Sequence, residues 1–193
     1  AFADRSKYLG DPDFYDIPQD QLLDSIYLIN RLNNINLSHA TPSDSIHPGE
    51  LLLEESDETT HFSIVDEDGN AVSITTTLNG SYVSVVIVDG AVFLLNNEMD
   101  DFIIKPGYPN LYGLIGGEAN AIAPEKRMLS SMTPSIVEKN DSLYIVVGSP
   151  GGSAIITAVY QTLLNVIEFE MSIDRAVNSP RFHHQWKPDQ IKM

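Results

Sequence analysis

The sequence predicts an α+β fold, on three observations. Two β-rich segments, His61–Val65 and Ala71–Leu78, flank the turn cluster Asp66-Glu67-Asp68-Gly69-Asn70, the pattern of a hairpin. A strand over Ser142–Val147 runs through the glycine-rich loop Gly148-Ser149-Pro150-Gly151-Gly152-Ser153 into a helix over Ala154–Val166, where Ile155, Val159, Leu163 and Val166 recur in helical period. Helical stretches stand beside the strands rather than alternating with each of them, which suits layered α+β.

Taken in order, residues 1–17 hold little periodicity and several turn formers, Gly10 and Pro12 among them. A helix is predicted from Pro18 to Asn34. Proline suits a first helical position, and Leu22, Ile26 and Ile29, with Leu23 and Tyr27 beside them, form one apolar stripe. Ala40–Glu58 reads as a linker with Pro42 and Pro48-Gly49, closing on the acidic run Glu54-Glu55-Ser56-Asp57-Glu58, a solvated loop by composition. After the hairpin, further strands are expected at Val83–Val88 and Val92–Leu95, and a polar stretch from Asn96 to about Gly117. A short helix is expected from Ser172, ending before Pro180.

The chain has 193 residues, enough for a core, and 27 Asp and Glu against 11 Lys and Arg give it a net charge of -16. That balance repels nucleic acid and anionic membrane surfaces, so neither is an expected partner. With no Cys, a disulfide scaffold, a thiolate zinc site and a Cys nucleophile are excluded, and the compartment stays open. No apolar run reaches the ~18 residues of a membrane span, and no signal peptide opens the chain. The chain begins Ala1-Phe2-Ala3 without a start Met, as either a mature product or an excised piece of a longer chain would.

Asp66, Asp68 and Asn70 alternate like the start of a calcium loop. The Gly stands fourth rather than sixth and no Glu closes the loop, so a hairpin turn is the better reading. The Gly148–Ser153 loop lacks the endings that hold nucleotides, but its backbone N–H groups at a helix start suit an oxyanion. His183-His184 with His61 could suggest a metal, yet adjacent histidines point apart on regular elements, and no metal is expected. Asn79-Gly80-Ser81 is a glycosylation sequon. Thr59-Thr60-His61 has two readings. It is an ordinary strand start, or it is the new N-terminus left when an acidic linker departs, where Thr59 would carry both a hydroxyl and an α-amine. Such an amine, with a pKa near ~8, can act as base to its own hydroxyl.

Several ordered motifs bear on that choice. Thr59-Thr60-His61-Phe62-Ser63-Ile64-Val65-Asp66, Asp68-Gly69-Asn70-Ala71-Val72-Ser73, Thr77-Leu78-Asn79 and Leu95-Asn96-Asn97-Glu98-Met99-Asp100-Asp101-Phe102 are followed by Pro124–Pro134, Gly148–Ser153 and Pro180-Arg181-Phe182-His183-His184. Together they resemble the small subunit of γ-glutamyltranspeptidase. Ala3-Asp4-Arg5 through Tyr8-Leu9-Gly10-Asp11-Pro12 resembles the end of that family's large subunit, so the likeness covers nearly the whole chain.

The resemblance implies an N-terminal-nucleophile hydrolase, a four-layer αββα sandwich present here as a fragment. Residues 1–58 would be the last part of the large subunit with its linker, and 59–193 a C-terminally truncated small subunit. It implies cleavage between Glu58 and Thr59, with Thr59 as nucleophile in cleavage and in γ-glutamyl transfer. Thr77 would bond its hydroxyl, and Gly151 and Gly152 would donate N–H groups to the oxyanion. Asn79, Glu98 and Asp101 would hold the substrate ammonium, Ser130 and Ser131 its carboxylate, and Tyr112 would cap the site from a loop. The implied substrates are glutathione and other γ-glutamyl compounds, with water, amino acids or peptides as acceptors. No cofactor is implied, and the implied location is periplasmic or secreted. Related amidases, a cephalosporin acylase or a poly-γ-glutamate enzyme, are the alternative within the fold, and an inactive fragment that only binds glutamate is the alternative outside it. Two departures stand out. No part of the chain matches the longer large-subunit region that supplies an Arg for the substrate carboxylate, and the small subunit normally continues past Met193. The implied partner is therefore the remainder of its own large subunit. Ser81-Tyr82-Val83-Ser84 also replaces a Phe-Gly-Ser-type turn.

Overall fold

The structure is a computed structural model that describes residues 1–33, 35–46, 59–80 and 84–193. It is mixed helix and strand, as the α+β reading requires, and divides into two compact units. One holds the N-terminal helices with Met99–Leu129 and Gln185–Gln190, and the other holds the strands and C-terminal helices.

In the first unit, α1 (Phe2–Tyr8) forms where no periodicity predicts it. Tertiary contacts hold it: Ala3 is buried with Ile115 and Trp186, and the Ser6 carbonyl accepts from the Gly117 N–H at 2.9 Å. The single helix expected from Pro18 is two, α2 (Gln19–Leu23) and α3 (Ser25–Asn33). Asp24 separates them. Its backbone is extended, and its Oδ1 accepts from the N–H groups of Ile26 and Tyr27 at 2.9 and 3.0 Å, so the carboxylate opens a new helix instead of continuing the old one. Pro18 accordingly sits at the N-cap of α2 rather than inside it. Tyr27 and Arg31 reach back to Asp4 of α1. The linker expected over Ala40–Glu58 contains a 3-10 turn at Ser43–Ser45, whose carbonyl at Ser43 accepts from the Trp186 indole, while its end lies outside the described residues.

Arg127 clasps Asp11 in this unit. Its guanidinium and its own backbone N–H donate to a carboxylate whose side chain is 1% exposed, and Asp13 takes a second contact from the guanidinium. These hydrogen bonds hold the Asp11 carboxyl well below the usual carboxylate range. A depressed folded pKa stabilises above the unfolded value and is lost as pH falls through the folded one. Thermal melts of the full-length protein should therefore show a melting temperature that declines below about pH 4. Arg127→Ala should lower it already at neutral pH and flatten that acid limb. An unchanged acid limb in Arg127→Ala would remove the pair from the account.

The second unit carries two hairpins. β1 (Thr59–Val65) and β2 (Ala71–Thr77) pair antiparallel, Thr59 opposite Thr77 and Val65 opposite Ala71, close to the predicted bounds. Asp66 closes the turn between them: its carboxylate accepts from the N–H groups of Asp68 and Asn70 and from the Asn70 amide, leaving it engaged as a turn former. β3 (Ser135–Lys139), absent from the sequence reading, pairs with β4 (Ser142–Val147) across Asn140-Asp141, both at positive φ. The strands expected at Val83–Val88 and Val92–Leu95 reduce, among the described residues, to one bridge between Ile87 and Leu94. Positive φ at Val85 and Val92 takes the chain out of extended geometry on both arms.

β4 leads through a 3-10 turn at Gly152–Ala154 into α4 (Ile155–Ile167), and Ser172 caps α5 (Ile173–Asn178) by accepting from the Arg175 N–H. Ile145 and Val147 of β4 bury against Ile155 and Val159 of α4, with Val137, Leu163 and Val166 packed around them. This cluster fixes the strand–loop–helix unit. The hairpins meet where the Ser73 hydroxyl of β2 donates to the Val147 carbonyl at 3.2 Å.

Candidate active site

Side chains alternate along the seven residues of β1, so Thr59, His61 and Ser63 share one face, and the register sets Thr77, Thr75 and Ser73 beside them. At the open end of this face the Thr59 and Thr77 hydroxyls lie 3.5 Å apart, a long contact. Thr77 Oγ1 also accepts from the Asn79 N–H at 2.9 Å, which polarises its hydroxyl. Asn79 is 1% exposed and adopts φ 80, a conformation that Asn tolerates better than most residues. Its burial excludes the sequon from modification in the folded state.

Asn79 Nδ2 donates to the Asn97 carbonyl at 3.5 Å, and the Asn97 N–H donates to the Leu78 carbonyl at 3.2 Å. The end of β2 is thus stitched to the segment that carries Glu98. Glu98 is half-buried, and that burial raises its carboxyl above the ordinary Glu value. Asn97 Oδ1 is a buried acceptor with no hydrogen-bond partner among the described residues. Sequence reasoning passed over it, since only its position behind Asn79 distinguishes it.

The Gly148–Ser153 turn belongs to the same unit. Gly151 has φ 125 and Gly152 φ 51, both in the region that favours glycine, and nothing lies within 4 Å of where a Cβ on Gly151 would stand. A backbone so folded ahead of a helix N-terminus presents N–H groups to an anion. Gly148 is close-packed instead. A Cβ there would stand 2.2 Å from the His61 ring. Ser130 and Ser131 lie on the approach to β3. Ser130 is exposed and its hydroxyl accepts from the Met132 N–H, and Ser131 is half-buried.

Asp101 and Tyr112 fall in the first unit. Asp101 shares the 3-10 turn Glu98–Asp101 with Glu98, and its carbonyl accepts from Asn120 Nδ2 at 2.7 Å. Its charge acts on Arg5, whose guanidinium burial lowers to about 10 while Asp101 opposes that shift. Tyr112 is 6% exposed at the tip of a tight loop: Asn110 Oδ1 accepts from the N–H groups of Tyr112 and Leu114, and the Tyr112 carbonyl accepts from Gln185. The expected cleavage bond and Ser81-Tyr82-Val83 lie outside the described residues.

The histidines weighed for a metal are separately engaged. His61 bonds Thr75 and Ser63, and His183 bonds Thr157. Among the described residues no three His, Cys, Asp or Glu gather as a metal site.

Comparison with known proteins follows the same residues. The family model described as gamma-glutamyltranspeptidase matches residues 1–193. The glutathione hydrolase proenzyme of Escherichia coli is 50% identical over 193 residues, covering 100% of this chain and 33% of that protein. The proenzyme of the same name from Pseudomonas aeruginosa is 51% identical over 188 residues, covering 97% and 33%. The chain thus spans about a third of the length of these curated relatives. Among solved structures, a threonine-to-alanine mutant of Helicobacter pylori gamma-glutamyltranspeptidase aligns with a TM-score of 0.67 and 63% identity, covering 68% of this chain and 71% of that one. The Pseudomonas nitroreducens enzyme complexed with L-DON aligns with a TM-score of 0.65 and 56% identity, covering 67% of each.

Proposed function

The chain belongs to the γ-glutamyltranspeptidase family, and from that premise we propose that it is the catalytic portion of a self-cleaving enzyme that transfers γ-glutamyl groups from glutathione and related amides to water, amino acids or peptides. The observation that carries this reading is Thr59 at the head of β1, opposite Thr77, whose hydroxyl is itself polarised by the Asn79 N–H. Residues 1–58 and 59–193 are, in this proposal, parts of the large and small subunits, completed by the remainder of the large subunit.

Cleavage begins with attack of the Thr59 hydroxyl on the Glu58 carbonyl. The acyl group moves from nitrogen to oxygen, which frees the Thr59 amine, and water then hydrolyses the resulting ester, releasing the Glu58 carboxylate and restoring the Thr59 hydroxyl. In turnover that amine, with a pKa near ~8, takes the hydroxyl proton as Thr59 Oγ1 attacks the γ-glutamyl carbonyl, then passes it to the leaving amine. The Gly151 and Gly152 N–H groups receive the oxyanion as it forms. Water or an acceptor amine releases the γ-glutamyl group from the ester. Asn79, Glu98 and Asp101 take the substrate ammonium, and Ser130 and Ser131 its carboxylate, while Tyr112 caps the site. Two acids and an amide against a cation favour a free glutamyl head over other acyl groups.

Full-length protein tests the reading. Intact mass should show a chain beginning at Thr59, and that material should turn over a chromogenic γ-glutamyl anilide. Cleaved protein without turnover would leave only a glutamate-binding fragment. Location in the periplasm or medium belongs to the same proposal and rests on the family likeness. Among the described residues no helix is long and apolar enough to cross a membrane. Fractionation that found the activity in the cytosol would contradict that location.

Glu98 adds a pH test. Its carboxyl is raised by burial, so it protonates at a higher pH than an ordinary Glu and then no longer attracts an ammonium. The KM for the anilide should rise on acidification, beginning above the ordinary Glu value of about 4.3. Glu98→Gln should raise KM by roughly 3- to 30-fold at neutral pH, the loss of one exposed-to-half-buried charge contact, and abolish that limb. A Glu98→Gln enzyme with the same acid limb would exclude Glu98 from the head-group site.

A further inference from the structure

We propose that His61 is a positioning residue that locks the oxyanion turn to the nucleophile strand. The inference rests on the reading of Thr59 as nucleophile and of Gly151 and Gly152 as oxyanion donors.

His61 stands two residues after Thr59 on the same face of β1. Its ring is held on two edges: Nδ1 bonds the Thr75 hydroxyl at 2.8 Å and Nε2 bonds the Ser63 hydroxyl at 3.0 Å. Each hydroxyl can donate or accept, so either tautomer is satisfied. The face of the ring lies against Gly148, the first residue of the turn that continues to Gly151 and Gly152. A Cβ on Gly148 would lie 2.2 Å from His61 Cε1 and Nδ1 and 2.7 Å from Nε2, and these ring atoms are its nearest obstacles. Gly148 is absent from the residues at positive φ. Glycine is therefore required here by the ring and not by the backbone conformation. The adjoining Ser73–Val147 hydrogen bond ties the same strand end at a neighbouring point. The ring is thus a spacer of fixed size between the strand that carries the nucleophile and the turn that carries the oxyanion donors. Donor placement to within fractions of an ångström is what such catalysis requires.

The contact makes a reciprocal prediction that ordinary packing does not. Gly148→Ala in the full-length enzyme should push the turn away and lower kcat by ~30-fold or more, and His61→Ala should lower it by ~10-fold through a loosened turn. In the double variant the alanine meets no ring, so kcat should return to within ~2-fold of His61→Ala alone, a strong departure from additivity. Glutamate inhibition constants should change by less than ~3-fold in His61→Ala, since the head group is held elsewhere. Additive losses in the double variant, or His61→Ala with unchanged kcat, would overturn the proposal. An equal loss in kcat and in glutamate binding for His61→Ala would also overturn it, by showing general loosening of the domain. Should Gly148→Ala not accumulate as folded protein, recovery of folding in the double variant reads the same contact, and the His61→Ala kcat decides the positioning role. Wild-type turnover of the anilide is measured alongside. Its absence would sink the functional reading itself and so stays distinguishable from failure of the His61 role.

Discussion

Thr59→Ala in the full-length protein should neither cleave nor turn over. The substitution removes the one oxygen that attacks the Glu58 carbonyl and later carries the γ-glutamyl group. No neighbouring group replaces it: Thr77 lies 3.5 Å away but has no α-amine to serve as base. The expected loss in kcat is at least ~10⁴-fold, the scale seen when a covalent nucleophile is removed. Thr59→Ser keeps the hydroxyl and should retain both reactions at reduced rates. Purified Thr59→Ala that still splits before residue 59 would show that cleavage needs no attack by this side chain.

Gly152→Val is expected to have the second largest effect. Gly152 sits at φ 51, where a β-branched side chain is strained, and it is buried at the turn into α4. The substitution should displace its N–H and lower kcat by roughly 10²-fold or more, comparable to loss of one oxyanion donor. The inhibition constant for glutamate, measured on correctly cleaved enzyme, should weaken far less. Near-normal kcat would remove the Gly151-Gly152 pair from the mechanism, and equal losses in both quantities would point to misfolding.

The parts of the fold legible in the sequence were those whose local pattern and tertiary role agree. The β1–β2 hairpin alternates around a turn that Asp66 caps for itself, and α4 repeats its apolar residues along the stripe that meets β4. The missed α1 has two apolar side chains in its first turns and no side-chain cap, so contacts with Trp186 and Gly117 make it a helix. β3 could have been found. Asn140-Asp141 ahead of a strand is a two-residue hairpin signal, and Ser135–Lys139 stands the right distance before it. The helix from Pro18 misled because its apolar stripe is continuous across Asp24, while the Asp24 carboxylate bonds the next two N–H groups forward and restarts the helix. At the site, periodicity placed Thr59 on a strand and the glycines in a turn, but roles came from the family's motifs. The contact of His61 with Gly148 escaped notice because it is a distance between two hairpins, which no spacing along the chain encodes.

The claim that Thr59 is the acyl carrier is tested most directly by rapid quenching of cleaved enzyme during turnover of the γ-glutamyl anilide, followed by peptide mass analysis. The account predicts one added γ-glutamyl group, sensitive to base as an ester and located on Thr59 itself. Turnover with the group on another residue, or with no covalent adduct under conditions where acceptor release is slow, would contradict it.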